Sequence, residues 1–325
     1  PNVVVKFITG MLGAIINVIY NVVSTFSTNN ALGISIIVLT IITRFIMLPL
    51  AFKSQKSMQK MQELNPQLEK IRKKYGDSKD PEVQQKMNQE IQALYAKHGA
   101  NPLAGCLPLF IQMPLFFALS YIMQQTFLFI DSMKVFYVDK LVPAITQVDG
   151  IRYWISEIAV NKVQKGITLD LSNNLDLARI LNKFSDTDWG NLLTRIPAEF
   201  STELSNIVSV LNEKANLESF LGLNLLENAG LSFPTIIIPI LAALSSFLMS
   251  YISMKQQEKN STSTNDQAMA TQKSMLFVMP IMMGFFTIST PVGVGLYWIT
   301  SNIFALVQQI LLNKYYSGKK ENDKK

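Results

Sequence analysis

The chain has 325 residues, of which 49% are hydrophobic and only 16% are charged. Soluble globular domains carry about 25% charged residues, so this composition excludes a disordered chain, a collagen-like repeat and a nucleic-acid-binding module, and it favours a membrane protein. The single cysteine excludes a disulfide scaffold, and the single histidine excludes a metal site built from several imidazoles. We therefore expect no cofactor, no metal site and no specific readout of nucleic acid.

The first 30 residues are apolar and interrupted by small or polar residues at helical spacing. These residues are Lys6, Gly10, Gly13, Asn17, Asn21 and Ser24. A single polar face on an apolar helix favours an interfacial amphipathic helix over residues 1–30. Hydropathy alone also allows a transmembrane span here. The segment lacks the charged start and the cleavage site of a signal peptide, so we do not expect it to be one. A start at Pro1 leads us to expect that the given chain follows removed material.

Five further apolar runs predict transmembrane helices, since a bilayer core about 30 Å thick needs about 20 apolar residues. The fourth run is short for a bilayer of ordinary thickness. The predicted class is therefore an all-α, polytopic membrane protein with five transmembrane helices. The predicted spans cover residues 31–52, 101–130, 233–254, 275–290 and 291–313.

The charges are segregated between the loops. Residues 53–98 contain ten Lys or Arg and six acids, whereas residues 131–232 contain nine basic and thirteen acidic residues. The loop 255–274 and the tail 314–325 are basic again. Because cytoplasmic loops carry the excess of Lys and Arg, we expect the start of the first span outside and the C-terminus in the cytoplasm.

Residues 53–100 predict a cytoplasmic helical hairpin. Asn65 and Asp80 are each followed by a proline, as at a helix start, and Gly99 is a typical helix stop. A docking element at the membrane surface and a solvated linker both remain open. Residues 131–232 predict an extracytoplasmic, partly helical cap, in which a helix begins at an Asp188 cap and runs from Leu192 to Leu211. Its role could be stability alone.

Arg44 is the residue that most needs a function. It is the fourteenth residue of a 22-residue apolar run. An arginine at a helix centre costs about 2.5–3.5 kcal/mol on insertion scales, and it stays protonated. None of the five spans contains Asp or Glu, so an ion pair within the spans is excluded. The side chain must meet a water-filled cavity, lipid phosphate or an anionic partner, unless it extends to the cytoplasmic headgroups.

Polar residues on other spans are candidates to line the same cavity as Arg44. Thr40 lies one helical turn before Arg44, Gln112 interrupts the second span, and Trp298, Ser301 and Asn302 share one side of the fifth. A channel or transporter with a cationic intramembrane site remains an alternative, although no convincing internal repeat supports a transporter. An intramembrane protease is excluded in practice, because the only histidine lies in a loop.

Several blocks of this chain resemble the YidC membrane insertases. They are TRFIMLPL (43–50), MQELNPQLEKIRKKYG (61–76), NPLAGCLPLFIQMPLFFAL (101–119), MPIMMGFF (279–286) and VGLYWITSNIFALVQQ (294–309). The resemblance covers all five spans and the hairpin in order, and it is closest to the short bacterial form without a large periplasmic domain. Two departures are Leu248-Met249-Ser250, where we expect a glutamine, and the long external loop. An N-terminal lipid-bearing cysteine is absent.

The resemblance implies a non-enzymatic insertase in the bacterial cytoplasmic membrane. Such a protein receives acidic tails or hairpins of nascent membrane proteins in a positive groove, open to the cytoplasm and to lipid, without ATP. Its implied partners are these clients, the lipid bilayer, the Sec translocon and the ribosome. The groove residues would be Arg44, Thr40, Gln112, Trp298, Ser301 and Asn302. The residues for first contact with clients or the ribosome would be Lys56, Lys60, Arg72, Lys73 and Lys74.

Overall fold

The computed structural model describes residues 3–76, 80–101, 107–160, 170–260 and 266–322. Apart from one short β-hairpin, formed by Ser219–Phe220 and Leu223–Asn224, its regular elements are helical. The α-helices are α1 (Val3–Phe26), α2 (Ala31–Glu63), α3 (Asn65–Tyr75), α4 (Pro81–Lys97), α5 (Leu107–Gln124), α6 (Asp131–Val135), α7 (Val142–Thr146), α8 (Ile151–Ala159), α9 (Asn174–Leu181), α10 (Asp186–Leu193), α11 (Ser201–Glu218), α12 (Ile237–Asn260), α13 (Asp266–Ile288) and α14 (Val292–Asn322). A π-helix (Phe136–Leu141) joins α6 to α7.

Four helices in the described part of the chain are long and apolar enough to cross a bilayer. Their candidate spans are Val5–Phe26, Ala31–Met58, Ile237–Lys255 and Val292–Leu312. Two shorter apolar helices cover Ile111–Gln124 and Leu276–Ile288. The predicted class, an all-α polytopic membrane protein, is confirmed. Several helices extend past the predicted spans, because a helix can continue from lipid into water when its polar residues keep good helix propensity.

The chain forms two compact units. One comprises Pro1–Leu39, Leu115–Ile238 and Thr287–Tyr297, and the other Thr40–Pro114, Pro239–Phe286 and Trp298–Lys325. Five helices contribute residues to both units, namely α2, α5, α12, α13 and α14. We call the first the cap unit, because it contains the predicted cap, and the second the groove unit, because it contains the six predicted groove residues.

The core of the cap unit holds a buried ionic cluster. The Lys214 ammonium lies 2.7 Å from the Glu218 carboxylate within α11, and both side chains are nearly inaccessible. The Tyr137 hydroxyl also donates to Glu218. Burial and the nearby Glu218 charge raise the pKa of Tyr137 well above its ordinary value. This cluster was not predicted. Lys214 and Glu218 are four residues apart on α11, but Tyr137 precedes Lys214 by 77 residues, and no local pattern brings it to them.

The apolar run predicted as the second span does not remain a single helix. α5 ends at Gln124, and a 3₁₀ turn covers Thr126–Leu128. The Thr126 hydroxyl donates to the carbonyl oxygens of Ile122 and Met123, which satisfies two acceptors of the last helical turn. The remaining apolar residues, Phe127 and Ile130, are buried in the core of the cap unit. The prediction was wrong at this end because apolarity alone does not distinguish a span from a buried turn. Residues 102–106, including Cys106, lie outside the described residues.

Two predicted helix starts are also wrong. Leu64, not Asn65, precedes α3, and no side chain caps that helix. Ser185 caps α10, with Asp188 as the reciprocal partner of a capping box.

The helix predicted through residues 192–211 is two helices, because α10 ends at Leu193 and α11 begins at Ser201. Pro197 lies between them and lacks the N–H that a continuous helix needs. By contrast, the Asp80 cap is confirmed, since its side chain accepts the Glu82 N–H at 2.9 Å.

The polar face of α1 packs against protein. The Asn17 amide donates to the Asp131 carboxylate at 2.7 Å, and the Ser132 hydroxyl donates to Asn21 Oδ1 at 2.9 Å. A Cβ at Gly13 would lie 2.4 Å from the Phe129 ring. These contacts explain part of the polar face without a lipid headgroup region. The interfacial placement of α1 remains a prediction, but contacts with protein now account for part of the polar face on which it was based.

Candidate functional site

Arg44 lies on α2, where it is half-buried, and its guanidinium contacts α14. Nε donates to Ser301 Oγ at 2.7 Å, and Nη2 donates to the same oxygen. Ser301 is 1% exposed, so this hydroxyl lies inside the groove unit. The side chain thus turns toward neighbouring helices, as expected for a charge that apolar lipid would not solvate.

An aromatic contact next to Arg44 holds α2 against α14. The rings of Phe45 and Phe304 meet edge to face, with their centroids 5.2 Å apart. This contact involves the residue after Arg44 and a residue one turn beyond Ser301. It therefore lies beside the hydrogen bonds from Arg44 to Ser301 and contributes to the same packing of α2 against α14.

Two other polar residues of α14, Trp298 and Asn302, donate to serines of α12. Trp298 Nε1 donates to Ser246 Oγ at 3.0 Å. Asn302 Nδ2 lies 3.0 Å from both Ser245 Oγ and Ser246 Oγ. Because residues 298, 301 and 302 share one helical face, α14 presents polar groups to α2 and to α12 together. We name Arg44, Trp298, Ser301, Asn302, Ser245 and Ser246 the polar cluster.

Four of the six predicted groove residues are therefore members of the polar cluster. The remaining two, Thr40 and Gln112, are buried in the same unit, on α2 and α5 respectively. Ser245 and Ser246 were not predicted. The resemblance led us to expect a glutamine at residues 248–250, about one helical turn after these two serines. The available signal was a pair of adjacent serines within an otherwise apolar run.

The chemical groups of the polar cluster are suited to binding polar or anionic groups. It contains one permanent positive charge together with hydroxyl, amide and indole groups. Serine hydroxyls can donate or accept, and an arginine offers five N–H donors, so the cluster can bind a carboxylate or a hydrated polar backbone. Its members come from three apolar helices. Such residues inside membrane segments are costly, and this cost is itself a reason to infer function.

The five predicted contact residues lie on two different helices. Lys56 and Lys60 belong to the C-terminal part of α2, and Arg72, Lys73 and Lys74 belong to α3. All five are exposed. α2 continues to Glu63, and α3 begins at Asn65, twelve residues after the predicted start of the hairpin at residue 53.

The hairpin itself consists of α3 and α4, which pack against each other. The Lys74 ammonium lies 2.9 Å from the Glu90 carboxylate. The hydrogen bond from Lys74 lowers the pKa of Glu90, and the Glu90 carboxylate raises the pKa of Lys74. Because the pair is exposed, it adds little stability. Buried Leu68 and the Asp80 cap of α4 are the other stabilising features of the hairpin. Of the five predicted contact residues, Lys74 forms this ion pair, and the other four, Lys56, Lys60, Arg72 and Lys73, are exposed.

Comparisons with known proteins show which proteins this chain resembles in sequence. A sequence model of the family described as 60Kd inner membrane protein matches residues 23–168 and 198–320. The chain is 30% identical over 302 residues to "Membrane protein insertase YidC" of Oceanobacillus iheyensis, covering 93% of this chain and 81% of that protein. It is 30% identical over 298 residues to the protein of the same name from Enterococcus faecalis (91% and 72%).

A third relative is "Membrane protein insertase MisCA" of Bacillus subtilis, which is 28% identical over 285 residues, with 88% of this chain and 71% of that protein covered. The stretch between the two matched segments, 169–197, lies in the predicted cap and includes α9 and α10. The matched segments include every member of the polar cluster. The chain is a multi-pass protein of the bacterial cytoplasmic membrane, and it belongs to the 60Kd inner membrane protein family, together with YidC-type insertases.

Proposed function

We propose that this protein is a membrane insertase whose polar cluster receives acidic N-terminal tails or hairpins of small membrane proteins. The client's apolar segment then passes into the bilayer. The observation that carries this proposal is the polar cluster itself, in which Arg44, α12 and α14 bring a permanent charge and several hydrogen-bonding groups into an apolar environment.

The free energies involved would allow a client's acidic tail to bind transiently beside Arg44. Moving an aspartate to the centre of a membrane helix costs about 2.5–3.5 kcal/mol on insertion scales. A carboxylate about 4 Å from the Arg44 guanidinium gains about 4 kcal/mol at an effective dielectric constant near 20. The two energies nearly cancel. Arg44 can therefore lower the barrier for an acidic tail without trapping it.

The energy for insertion would come from the client. The sequence contains no Gly-rich phosphate-binding loop of the GxxxxGK[ST] type. Transfer of an apolar client segment out of water contributes about 25 cal/mol for each Å² of apolar surface. The membrane potential adds a further force on an acidic tail that moves outward. We therefore propose insertion without ATP hydrolysis and without a cofactor.

The polar cluster would open to the cytoplasm, where the hairpin α3–α4 and the end of α2 make the first contact. Lys56, Lys60, Arg72, Lys73 and Lys74 are exposed and would attract acidic client segments or ribosomal RNA by charge alone, without base-specific readout. Nascent membrane proteins and the lipid bilayer are the partners that this model requires. The Sec translocon and the ribosome are further partners in the same proposal.

The decisive experiment compares Arg44→Ala with Arg44→Lys in proteoliposomes without added ATP. We expect Arg44→Ala to slow insertion of a client with an acidic translocated tail by about tenfold, which corresponds to roughly 1.4 kcal/mol. Arg44→Lys should retain much of the activity, because a positive field matters more than the bidentate shape of the guanidinium. Protease protection of the tail measures insertion.

Two controls sharpen this test. A client whose tail carries no acid should be inserted equally by the wild type and by Arg44→Ala. Lys53→Ala removes an exposed positive charge at the end of the same apolar run and should have a much smaller effect. Equal insertion of acidic clients by Arg44→Ala and wild type would argue strongly against the groove mechanism. Solute flux without client insertion would instead support a channel.

A further inference from the structure

A short hairpin in the cap unit carries an exposed leucine in an unfavourable backbone conformation. The strands β1 (Ser219–Phe220) and β2 (Leu223–Asn224) are antiparallel and are joined by Leu221 and Gly222. Both joining residues have positive φ, 51° at Leu221 and 81° at Gly222. Such two-residue turns strongly prefer Asn-Gly or Asp-Gly, since a bulky side chain disfavours the left-handed region.

Burial within this chain does not explain the leucine, because Leu221 is 78% exposed. A polar asparagine would fit the backbone better and would expose less apolar surface to water. An apolar side chain held in a strained turn is therefore a reason to look for a contact outside the chain.

The tip of this hairpin is fixed to the turn between the apolar helices α1 and α2. The Leu221 N–H donates to Asn30 Oδ1 at 2.8 Å. The Phe220 ring occupies the place of a side chain at Gly33, where a Cβ would lie 2.2 Å from the ring. Leu221 thus lies at the level where the candidate span Ala31–Met58 begins.

A second exposed apolar loop lies where two other spans begin. Gly230 N–H donates to the Ile288 carbonyl oxygen, and Ala229 N–H to that of Thr290, which fixes this loop to the turn between α13 and α14. Leu231 and Phe233 follow and are 68% and 83% exposed. α12 begins four residues after Phe233, at Ile237.

The first two turns of α2 and the first turns of α12 and α14 lie close together in the cap unit. A Cβ at Gly293 would lie 3.1 Å from Ile36, and a Cβ at Gly295 would lie 2.2 Å from Ile238. The three helices therefore begin at one common level. Since each carries a candidate span, this level corresponds to one surface of the bilayer.

We propose that Leu221, Leu231 and Phe233 are lipid anchors, which insert their side chains at the boundary between headgroups and acyl chains of the leaflet where α2, α12 and α14 enter. Lipid is the proposed occupant, because both loops are fixed to the turns where apolar helices begin, and an exposed apolar side chain at a bilayer surface lowers its free energy by entering the lipid. The anchors would hold the cap against the membrane surface. This role is independent of client insertion by the polar cluster.

The test measures membrane depth at each anchor in the full-length protein. The sequence has one cysteine, which Cys106→Ser removes. Leu221→Cys, Leu231→Cys and Phe233→Cys are then each labelled with an environment-sensitive fluorophore and reconstituted into phosphatidylcholine–phosphatidylglycerol vesicles. Tyr153→Cys is the matched control, because Tyr153 is an exposed aromatic residue on α8, which packs against α7 and α10. Protein fluorescence before labelling verifies that each variant is folded.

We expect the three anchor probes to emit at shorter wavelength than the control, and to be quenched by lipids that carry a nitroxide near the headgroup end of the acyl chain. The control probe should respond to iodide in the aqueous phase instead. Quenching of the anchor probes by iodide to the same extent as the control would overturn the proposal. Protection from both quenchers would overturn it as well, since it would indicate a protein partner or a second copy of the chain.

Discussion

At the scale of single residues, two cations with restricted access to water, Arg44 and Lys214, have different surroundings. Arg44 belongs to a set of predicted spans without Asp or Glu, and its guanidinium lies against the Ser301 hydroxyl. Lys214 is instead paired directly with Glu218 in the core of the cap unit. A buried ion pair carries no net charge, whereas the permanent positive charge of Arg44 beside the Ser301 hydroxyl can attract an anion.

Removing one partner of the buried pair should destabilise the cap strongly. Lys214→Ala leaves the Glu218 carboxylate buried, and we expect it to lower the free energy of unfolding by about 3–5 kcal/mol. Lys140→Ala is the matched control, because the Lys140–Glu213 pair is exposed and should contribute less than about 1 kcal/mol. Chemical unfolding of the full-length protein in detergent, followed by tryptophan fluorescence, measures both. Equal effects of the two substitutions would contradict this account.

Glu227 should make the stability of the cap depend on pH. Burial, followed by the nearby Asp186 carboxylate, raises the pKa of Glu227 above its ordinary value. The folded cap therefore binds this proton more tightly than the unfolded chain does. The resulting stabilisation is complete below the ordinary pKa and is lost as pH rises through the raised pKa.

Glu227→Gln removes this titration. We expect the variant to unfold at a higher temperature than the wild type near neutral pH, and at a similar temperature near pH 4, where the wild-type carboxyl is protonated. Thermal unfolding at a series of pH values measures the difference. Parallel curves for the two proteins at all pH values would show that Glu227 is not the group responsible.

At the scale of elements, the ends of helices were harder to predict than their existence. The apolar runs and the repeated Asx-Pro pairs indicated α2, α3, α4 and α14 correctly. The capping residues were harder to predict, because a side chain can cap a helix only when the backbone angles of that one residue allow it. Asp80 has the extended conformation that lets its side chain reach the Glu82 N–H, whereas α3 follows α2 so closely that Leu64 occupies the equivalent position in a helical conformation.

The two Asx-Pro pairs therefore allow a direct comparison. Asp80→Ala should destabilise the start of α4 by about 1 kcal/mol, because it removes a capping hydrogen bond. Asn65→Ala should change the start of α3 by much less, since Asn65 does not occupy the cap position. Hydrogen exchange of the first-turn amides in each helix measures the effect. A large effect of Asn65→Ala would show that this residue caps α3 after all.

At the scale of the whole molecule, the distribution of charge predicts orientation. The excess of Lys and Arg in residues 53–98, 255–274 and 314–325 favours the cytoplasmic side, and the acidic excess in residues 131–232 favours the opposite side. The polar cluster would then open toward the side that carries the basic hairpin. Acidic tails would meet positive charge first on the hairpin and then at Arg44.

Labelling of single cysteines in intact cells tests this orientation. In a Cys106→Ser background, we expect a membrane-impermeant maleimide to label Tyr153→Cys in the cap, but not Lys74→Cys in the hairpin. Both side chains are exposed in the folded protein, so differences in burial do not bias the comparison. After cell lysis, both positions should react. Labelling of Lys74→Cys in intact cells would reverse the proposed topology.

The sequence by itself determined the membrane class, the approximate spans, the hairpin and the candidate charge at Arg44, because hydropathy, charge bias and an unusual arginine are local properties of the chain. Tertiary structure decided which polar groups meet. Ser245 and Ser246 become partners of Trp298 and Asn302 only when α12 packs against α14, and the Tyr137–Glu218–Lys214 cluster forms only when distant segments fold together. Contacts of this kind depend on helix register and rotation, which no local pattern specifies.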